Sequence, residues 1–239
     1  RLKEYLEKQL GVEITEEKIK EAIEILNTER ELLKELAGLM KHDPVPMSGQ
    51  DMLKLLWGRN FVFDRVEFAN QLRLIINDMK ETVESNQGPI PKGAKRIIVT
   101  GVPTGVGSEK VIKIIEECGA VVVYLDNCSG MKSYERLVAT DKPVMEAIAE
   151  KYLNIPCSCM SPNPTRMERM VTLIDEYQAD GVVDITWTGC HTYNVESRVL
   201  KSFLKSNKDV PFLQIETDYS HGDSEQIKAR VQAFLEMME

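Results

Sequence analysis

Apolar residues follow two different rhythms along this chain, and the change comes near residue 90. Ile19, Ala22, Ile23, Leu26, Leu33, Leu36 and Met40 recur at three- and four-residue spacing, which is the stripe of a helix with one buried face. Thr15 is placed to cap that helix. The run His42-Asp43-Pro44-Val45-Pro46 stops it, because proline cannot continue a helix. Ser48 caps a short helix through Leu55 or Leu56. A longer one runs from about Val62 to Glu84 on Phe63, Val66, Leu72, Ile75, Ile76 and Met79. Asn86-Gln87-Gly88-Pro89 closes it as a linker, so residues 1–88 are expected to form a mostly helical segment.

From Lys95 the rhythm alternates. Strands are expected at Arg96–Thr100, Ala120–Leu125, Gly181–Thr186 and Phe212–Glu216, with a short further strand at Leu153-Asn154-Ile155. Between and after them come helices at Ser108–Cys118, Pro143–Tyr152, Arg166–Gln178, Val195–Lys205 and Glu225–Met238. This alternation predicts an α/β fold over residues 89–239, a parallel, Rossmann-like sheet flanked by helices. Runs such as Ile97-Ile98-Val99 and Val121-Val122-Val123 suit strands buried on both sides.

Composition narrows the function classes. With a net charge of −8 over 239 residues and no basic stripe, nucleic acid is not an expected partner. No apolar run reaches the roughly 18 residues of a membrane span. The chain opens on Arg1-Leu2-Lys3-Glu4-Tyr5, charged and helix-like, with neither a signal-peptide pattern nor an initiator methionine. A longer protein with a further N-terminal domain is therefore expected. Five cysteines without a secretion signal argue for a reducing, cytoplasmic compartment, and an odd number cannot be fully paired.

Three of those cysteines carry the candidate chemistry. Cys128, Cys157 and Cys190 each follow an expected strand, at the sheet edge where ligands of open α/β folds collect. Three thiolates gathered there suit an iron–sulfur cluster with one iron open to another ligand. Their spacing is not that of CxxC pairs, which argues against a zinc ribbon. Buried free thiols are the competing reading. That reading is preferred for Cys118, at the end of Glu116-Glu117-Cys118-Gly119. Cys159, two residues from Cys157 and on the same side of an extended segment, could substitute as a ligand.

His191 could donate a hydrogen bond or a proton, or simply cap a helix. Glu196 could orient His191 or a ligand, or answer only the helix dipole. Glu216, Asp218 and Tyr219 close the last strand at the same edge, where they could position a substrate or form a solvated turn. Gly101-Val102-Pro103-Thr104-Gly105-Val106-Gly107-Ser108-Glu109-Lys110 could hold an anion on its backbone amides. It matches neither a Walker A motif nor a full dinucleotide fingerprint, and a plain strand–helix turn explains it equally well. Met167, Met170 and Ile174 read as core.

An ordered series of short motifs resembles the 2-hydroxyacyl-CoA dehydratase / benzoyl-CoA reductase family. The series is Pro156-Cys157-Ser158-Cys159, then Asp180-Gly181-Val182-Val183, then Gly189-Cys190-His191-Thr192-Tyr193-Asn194-Val195-Glu196. It ends with Pro211-Phe212-Leu213-Gln214-Ile215-Glu216-Thr217-Asp218-Tyr219 and, beyond it, Gln226, Arg230 and Ala233-Phe234-Leu235-Glu236. The likeness covers about residues 45–239 and corresponds to the family's C-terminal half. Ordinary dehydratase subunits of the family place one cluster cysteine in that half, at the position of Cys190. The additional Cys128 and Cys157 look like the family's double-cubane-cluster proteins.

The resemblance implies a [4Fe–4S] cluster, or half of an [8Fe–9S] double cubane, on Cys128, Cys157 and Cys190. His191 and Glu196 would be proton-delivery or supporting groups. It further implies an anaerobic, dimeric iron–sulfur oxidoreductase that takes low-potential electrons from an ATP-dependent iron–sulfur activator and reduces a small molecule. Two alternatives stand beside it, a 2-hydroxyacyl-CoA dehydratase subunit and a non-enzymatic nucleotide-binding module.

Overall fold

Four strands, β1 (Arg96–Gly101), β2 (Val121–Asp126), β3 (Gly181–Trp187) and β4 (Phe212–Thr217), lie parallel in the order β2-β1-β3-β4 in this computed structural model, which describes residues 1–238. Every residue of β1 and β2 is buried, as the continuous β-branched runs require. Among the described residues nine α-helices accompany the sheet. Four precede it: α1 (Leu2–Leu10), α2 (Glu16–Leu39), α3 (Gly49–Gly58) and α4 (Arg65–Ser85). Five alternate with or follow the strands: α5 (Lys110–Glu117), α6 (Val144–Leu153), α7 (Pro164–Glu176), α8 (His191–Asn207) and α9 (Ser224–Glu236). The expected α/β fold is the one observed.

Local signals set most element ends. The Thr15 hydroxyl accepts from the Lys18 amide, and the Ser48 hydroxyl from the Asp51 amide. Asn86 closes α4 in the left-handed conformation with φ 54°. Expectations fail at three places. Helix α4 starts at Arg65 rather than near Val62, and Phe63, expected on its apolar stripe, lies before it and is wholly exposed. Leu153-Asn154-Ile155 is not a strand: Leu153 is the last residue of α6, and the Asn154 and Ile155 amides donate back to Glu150 and Tyr152 carbonyls. Three residues followed by Pro156, which has no amide to donate, cannot hold a place in a ladder. Helix α8 begins at His191, four residues earlier than expected, which makes Cys190 its N-terminal cap.

The N-terminal helices are fastened to the sheet. One hydrophobic core runs from Leu33, Leu36 and Met40 of the α2 end through Leu53 and Leu56 of α3 and Leu72 and Ile76 of α4 to all four strands. Glu116 of α5 accepts from the first amides of α3, Gly49 at 2.6 Å and Gln50 at 3.3 Å, so a carboxylate meets the positive end of that helix.

The chain turns towards opposite edges of the sheet after β1 and after β3. The connection from β1 leads to β2 and carries α5, which packs on α9. The connections into and out of β3 carry α7 and α8, which pack on each other. The exits of β1 and β3 therefore flank the topological switch point, where a doubly wound sheet leaves a crevice. Gly101 makes this close approach possible. Its φ is 106°, and a Cβ there would sit 2.1 Å from the Ile185 carbonyl oxygen of β3.

Candidate functional site

Cys128 lies two residues beyond β2, in a loop laced to the exit of β1. Buried Asn127 donates to the Thr104 hydroxyl at 2.9 Å, and the Ser129 hydroxyl accepts from the Thr104 amide at 2.9 Å. The half-buried Cys128 sulfur lies 3.6 Å from the phenolic oxygen of Tyr193, one turn into α8.

Cys157 reaches the same place from a turn after α6, not from a strand end. Its carbonyl accepts from the Met160 amide at 3.0 Å and the Asn163 side-chain amide at 2.8 Å, which fixes the turn. The thiols of Cys159 and Cys128 are near enough to bear on its protonation. Burial pushes the Cys157 thiol up. Hydrogen bonds from Cys159, the charge of Lys132 and the contact with Cys128 outweigh that and hold it below the ordinary range. Cys159, exposed at the surface, is pushed up by its bond to Cys157 and by that thiol's charge.

Cys190 stands at the exit of β3, on the switch point. Its amide donates to the Trp187 carbonyl, and its own carbonyl accepts from Asn194 as α8 begins. It lies three residues before Tyr193, whose hydroxyl touches Cys128. The Cys190 thiol makes no hydrogen bond to the other cysteines, and among the described residues no three ligating side chains already surround a metal-sized point. Cys118 is elsewhere, at the C-terminal end of α5 against the core, where burial pushes its thiol up.

Beneath the thiols lies a row of buried polar groups. Register puts Thr100 of β1 beside Asp126 of β2 and beside Asp184 of β3. The Thr100 hydroxyl donates to Asp126 at 2.8 Å. Burial raises Asp126, but Lys132, Arg169 and Arg166 together bring it below the usual carboxylate range. Asp184 is pushed up to about 6, chiefly by burial, with Arg166 opposing.

Arg166 is almost wholly enclosed, 3.7 Å from Asp184 and 3.3 Å from Glu196, with its guanidinium 5.6 Å from the centre of the Tyr193 ring. Burial raises the Tyr193 phenol far above its ordinary value, and the neighbouring Cys128 adds to this. Glu196 therefore faces Arg166, whereas His191 is exposed on the first turn of α8, and the two make no contact.

Tyr193, Arg166, Lys132 and Asp184 are the residues sequence reasoning missed. Asp184 had a signal, since it is the single charge in the apolar run Gly181–Ile185. Arg166 had a weaker one, since it falls in step with Met170 and Leu173 on the buried stripe of α7.

The glycine-rich turn after β1 spends its amides internally. Thr104, Gly105 and Gly107 donate to the side chains of Ser129, Ser108 and Glu109. Lys110 is tied to Asp223 and to the Ser220 carbonyl. Three of the amides that could have met a phosphate are thus taken by side chains of the protein itself. Among the described residues no helix is long and apolar enough to cross a membrane.

Comparison with known proteins shows the family. Residues 1–238 match the family model described as 2-hydroxyglutaryl-CoA dehydratase, D-component. The chain is 40% identical over 238 residues to YjiM of Escherichia coli (strain K12), which bears the name of a dehydratase subunit; the match covers 100% of this chain and 62% of that protein. It is 27% identical over 239 residues to the (R)-phenyllactyl-CoA dehydratase beta subunit of Clostridium sporogenes, covering 98% of this chain and 61% of that protein. It is 24% identical over 189 residues to a benzoyl-CoA reductase subunit of Thauera aromatica, covering 74% of this chain and 42% of that protein. The chain thus spans at most about three-fifths of the length of these relatives.

Proposed function

Because the chain belongs to the 2-hydroxyglutaryl-CoA dehydratase D-component family, we propose that it is the cluster-bearing part of an iron–sulfur oxidoreductase. The observation that carries this reading is the influence of the Cys159 and Cys128 thiols on that of Cys157, with Cys190 at the exit of β3 on the switch point. Thiolate sulfur is the donor that iron–sulfur clusters take. The set fits in kind: three half-buried thiols and one exposed, one of them held below its ordinary pKa. Cys128, Cys157 and Cys190 are the proposed ligands of a [4Fe–4S] cluster or of half an [8Fe–9S] double cubane, and Cys159 is a further donor beside them. When bound, the cluster supplies one-electron transfer at strongly negative potential.

The chain's own residues prepare that place. The Tyr193 hydroxyl, against the Cys128 sulfur, holds that thiol towards α8 and excludes water. Lys132 contributes a buried positive charge that favours thiolate. His191, exposed beside Cys190, is the proposed route for protons. Glu196 acts through Arg166 as a positioning residue. We further propose a reducing cytoplasmic setting, electron supply from an ATP-dependent iron–sulfur activator, pairing of two copies, and a further domain beside the helical 1–88 and α/β 89–239 parts.

Anaerobic reconstitution with iron and sulfide tests the reading. Visible absorption and bound iron should appear in the natural chain and be lost when Cys128, Cys157 and Cys190 are all changed to serine. Unchanged iron in that variant would overturn it. The names of two relatives favour a second reading, a subunit acting on CoA thioesters. A CoA-thioester titration that gives no binding would remove it.

A further inference from the structure

A cleft of about 480 Å³ opens on the other side of the Cys157 turn, between α2, α7 and the loop after β2. Its walls carry more positive than negative charge. Of the three carboxylates on the wall, Glu135 is engaged by Arg169 and Glu176 by Lys41, which leaves Glu168. Against it stand Lys34, Lys132, Arg136 and Lys151.

Two of these lysines are buried without a hydrogen-bonded carboxylate partner. Lys132, with its side chain fully enclosed, makes no hydrogen bond, and its nearest carboxylate oxygen is 3.8 Å away on Asp126. Lys151 is 4% exposed. Its ammonium donates to the Ser133 carbonyl at 2.9 Å and lies 4.2 Å from the centre of the Tyr152 ring, and among the described residues no carboxylate pairs with it. Burial, with Arg30 and Arg59 nearby, pushes it down to about 8. Arg30 itself has an unbonded buried Nε. Buried cations are ordinarily matched by carboxylates, so an unmatched group of them calls for an anion from outside. Met131, Leu173 and Pro156 give the same cleft an apolar wall.

We propose that this cleft binds a compact organic anion, an apolar body bearing one carboxylate or phosphate head directed at Lys151 and Lys132. The charge of the cleft stands whether or not the thiols hold iron, so the test needs no cluster. Thermal unfolding of the chain is followed with benzoate, phenyl phosphate and the uncharged benzamide, for the natural protein and for Lys151→Met. At ten-fold excess over Kd an anion should raise the melting temperature of the natural protein by about 3–5 °C. Benzamide should not, and the larger of the two anion shifts identifies the head. Lys151→Met should melt higher than the natural chain without ligand, because an unmatched buried charge is gone, and should lose the anion shift. A lower melting temperature for that variant, an equal shift from benzamide, an anion shift that Lys151→Met retains, or no shift from either anion would overturn the proposal.

Discussion

At the end of the sheet where β1 enters, the Arg96 guanidinium is used entirely on carbonyls. It donates to Met40 at 2.8 Å and His42 at 3.0 Å beyond α2, and to Tyr177 at 2.8 Å beyond α7. Its own amide donates to Asp180 at 2.7 Å. At the end where the strands leave, Arg166 meets Asp184 and Glu196, and Lys132 meets Asp126, in ion pairs of 3.3–3.8 Å. Arg166, Asp184, Glu196, Lys132 and Ser197 each keep a buried polar atom without a hydrogen bond. Both ends bury charge, but the first closes two helix ends and leaves little to add. The second holds charge in waiting beneath three thiol-bearing loops. Unsatisfied buried groups are costly; apart from those of Glu29 and Arg30, the described ones gather at this end, which supports the ligand site proposed there.

That contrast can be broken from either side. The largest effect is expected at the closed end. Arg96→Met strips three carbonyls of their donor and should lower stability by about 3 kcal/mol or more in urea unfolding, at roughly 1 kcal/mol or more per stranded carbonyl. Loss below about 1 kcal/mol would mean that water replaces the guanidinium and that the closed end is not closed.

A smaller change of opposite sign is expected at the open end. The Asp184 carboxyl, raised from 3.8 to about 6, holds its proton in the folded chain more firmly than in the unfolded one. Its contribution to stability is full below about pH 4, falls as pH rises towards 6, and is absent above that. Asp184→Asn removes this decline. It should therefore be more stable than the natural chain at pH 7.5 by about 2 kcal/mol, with the difference shrinking below pH 4. A variant that is less stable at pH 7.5 would show that Arg166 depends on the Asp184 charge.

How far the chain could be read ahead of its structure follows the same division. Helices α2 and α3 were legible because Thr15 and Ser48 cap them through bonds three residues long. The parallel sheet was legible because its apolar runs are continuous. The start of α8 was not, since His191, Thr192 and Asn194 carry no apolar periodicity and the helix is held there by packing of Tyr193. Leu153–Ile155 is apolar enough for a strand, but it lies too close to Pro156 to pair. At the rim, the cysteines were legible as candidates. Tyr193 against Cys128, and Arg166 between Asp184 and Glu196, join residues distant along the chain by contacts that no local pattern encodes.

The central claim separates two kinds of thiol in one chain, Cys157 at the rim and Cys118 against the core. Two serine variants, Cys118→Ser and Cys157→Ser with Cys159→Ser, reconstituted anaerobically with iron and sulfide and analysed for bound iron per chain, put it to the most direct test. Cys118→Ser should bind as much iron as the natural chain, while the variant without Cys157 and its neighbouring thiol should lose most of it. Equal iron in the two variants, or a greater loss from Cys118→Ser, would contradict the assignment of the rim as the cluster site.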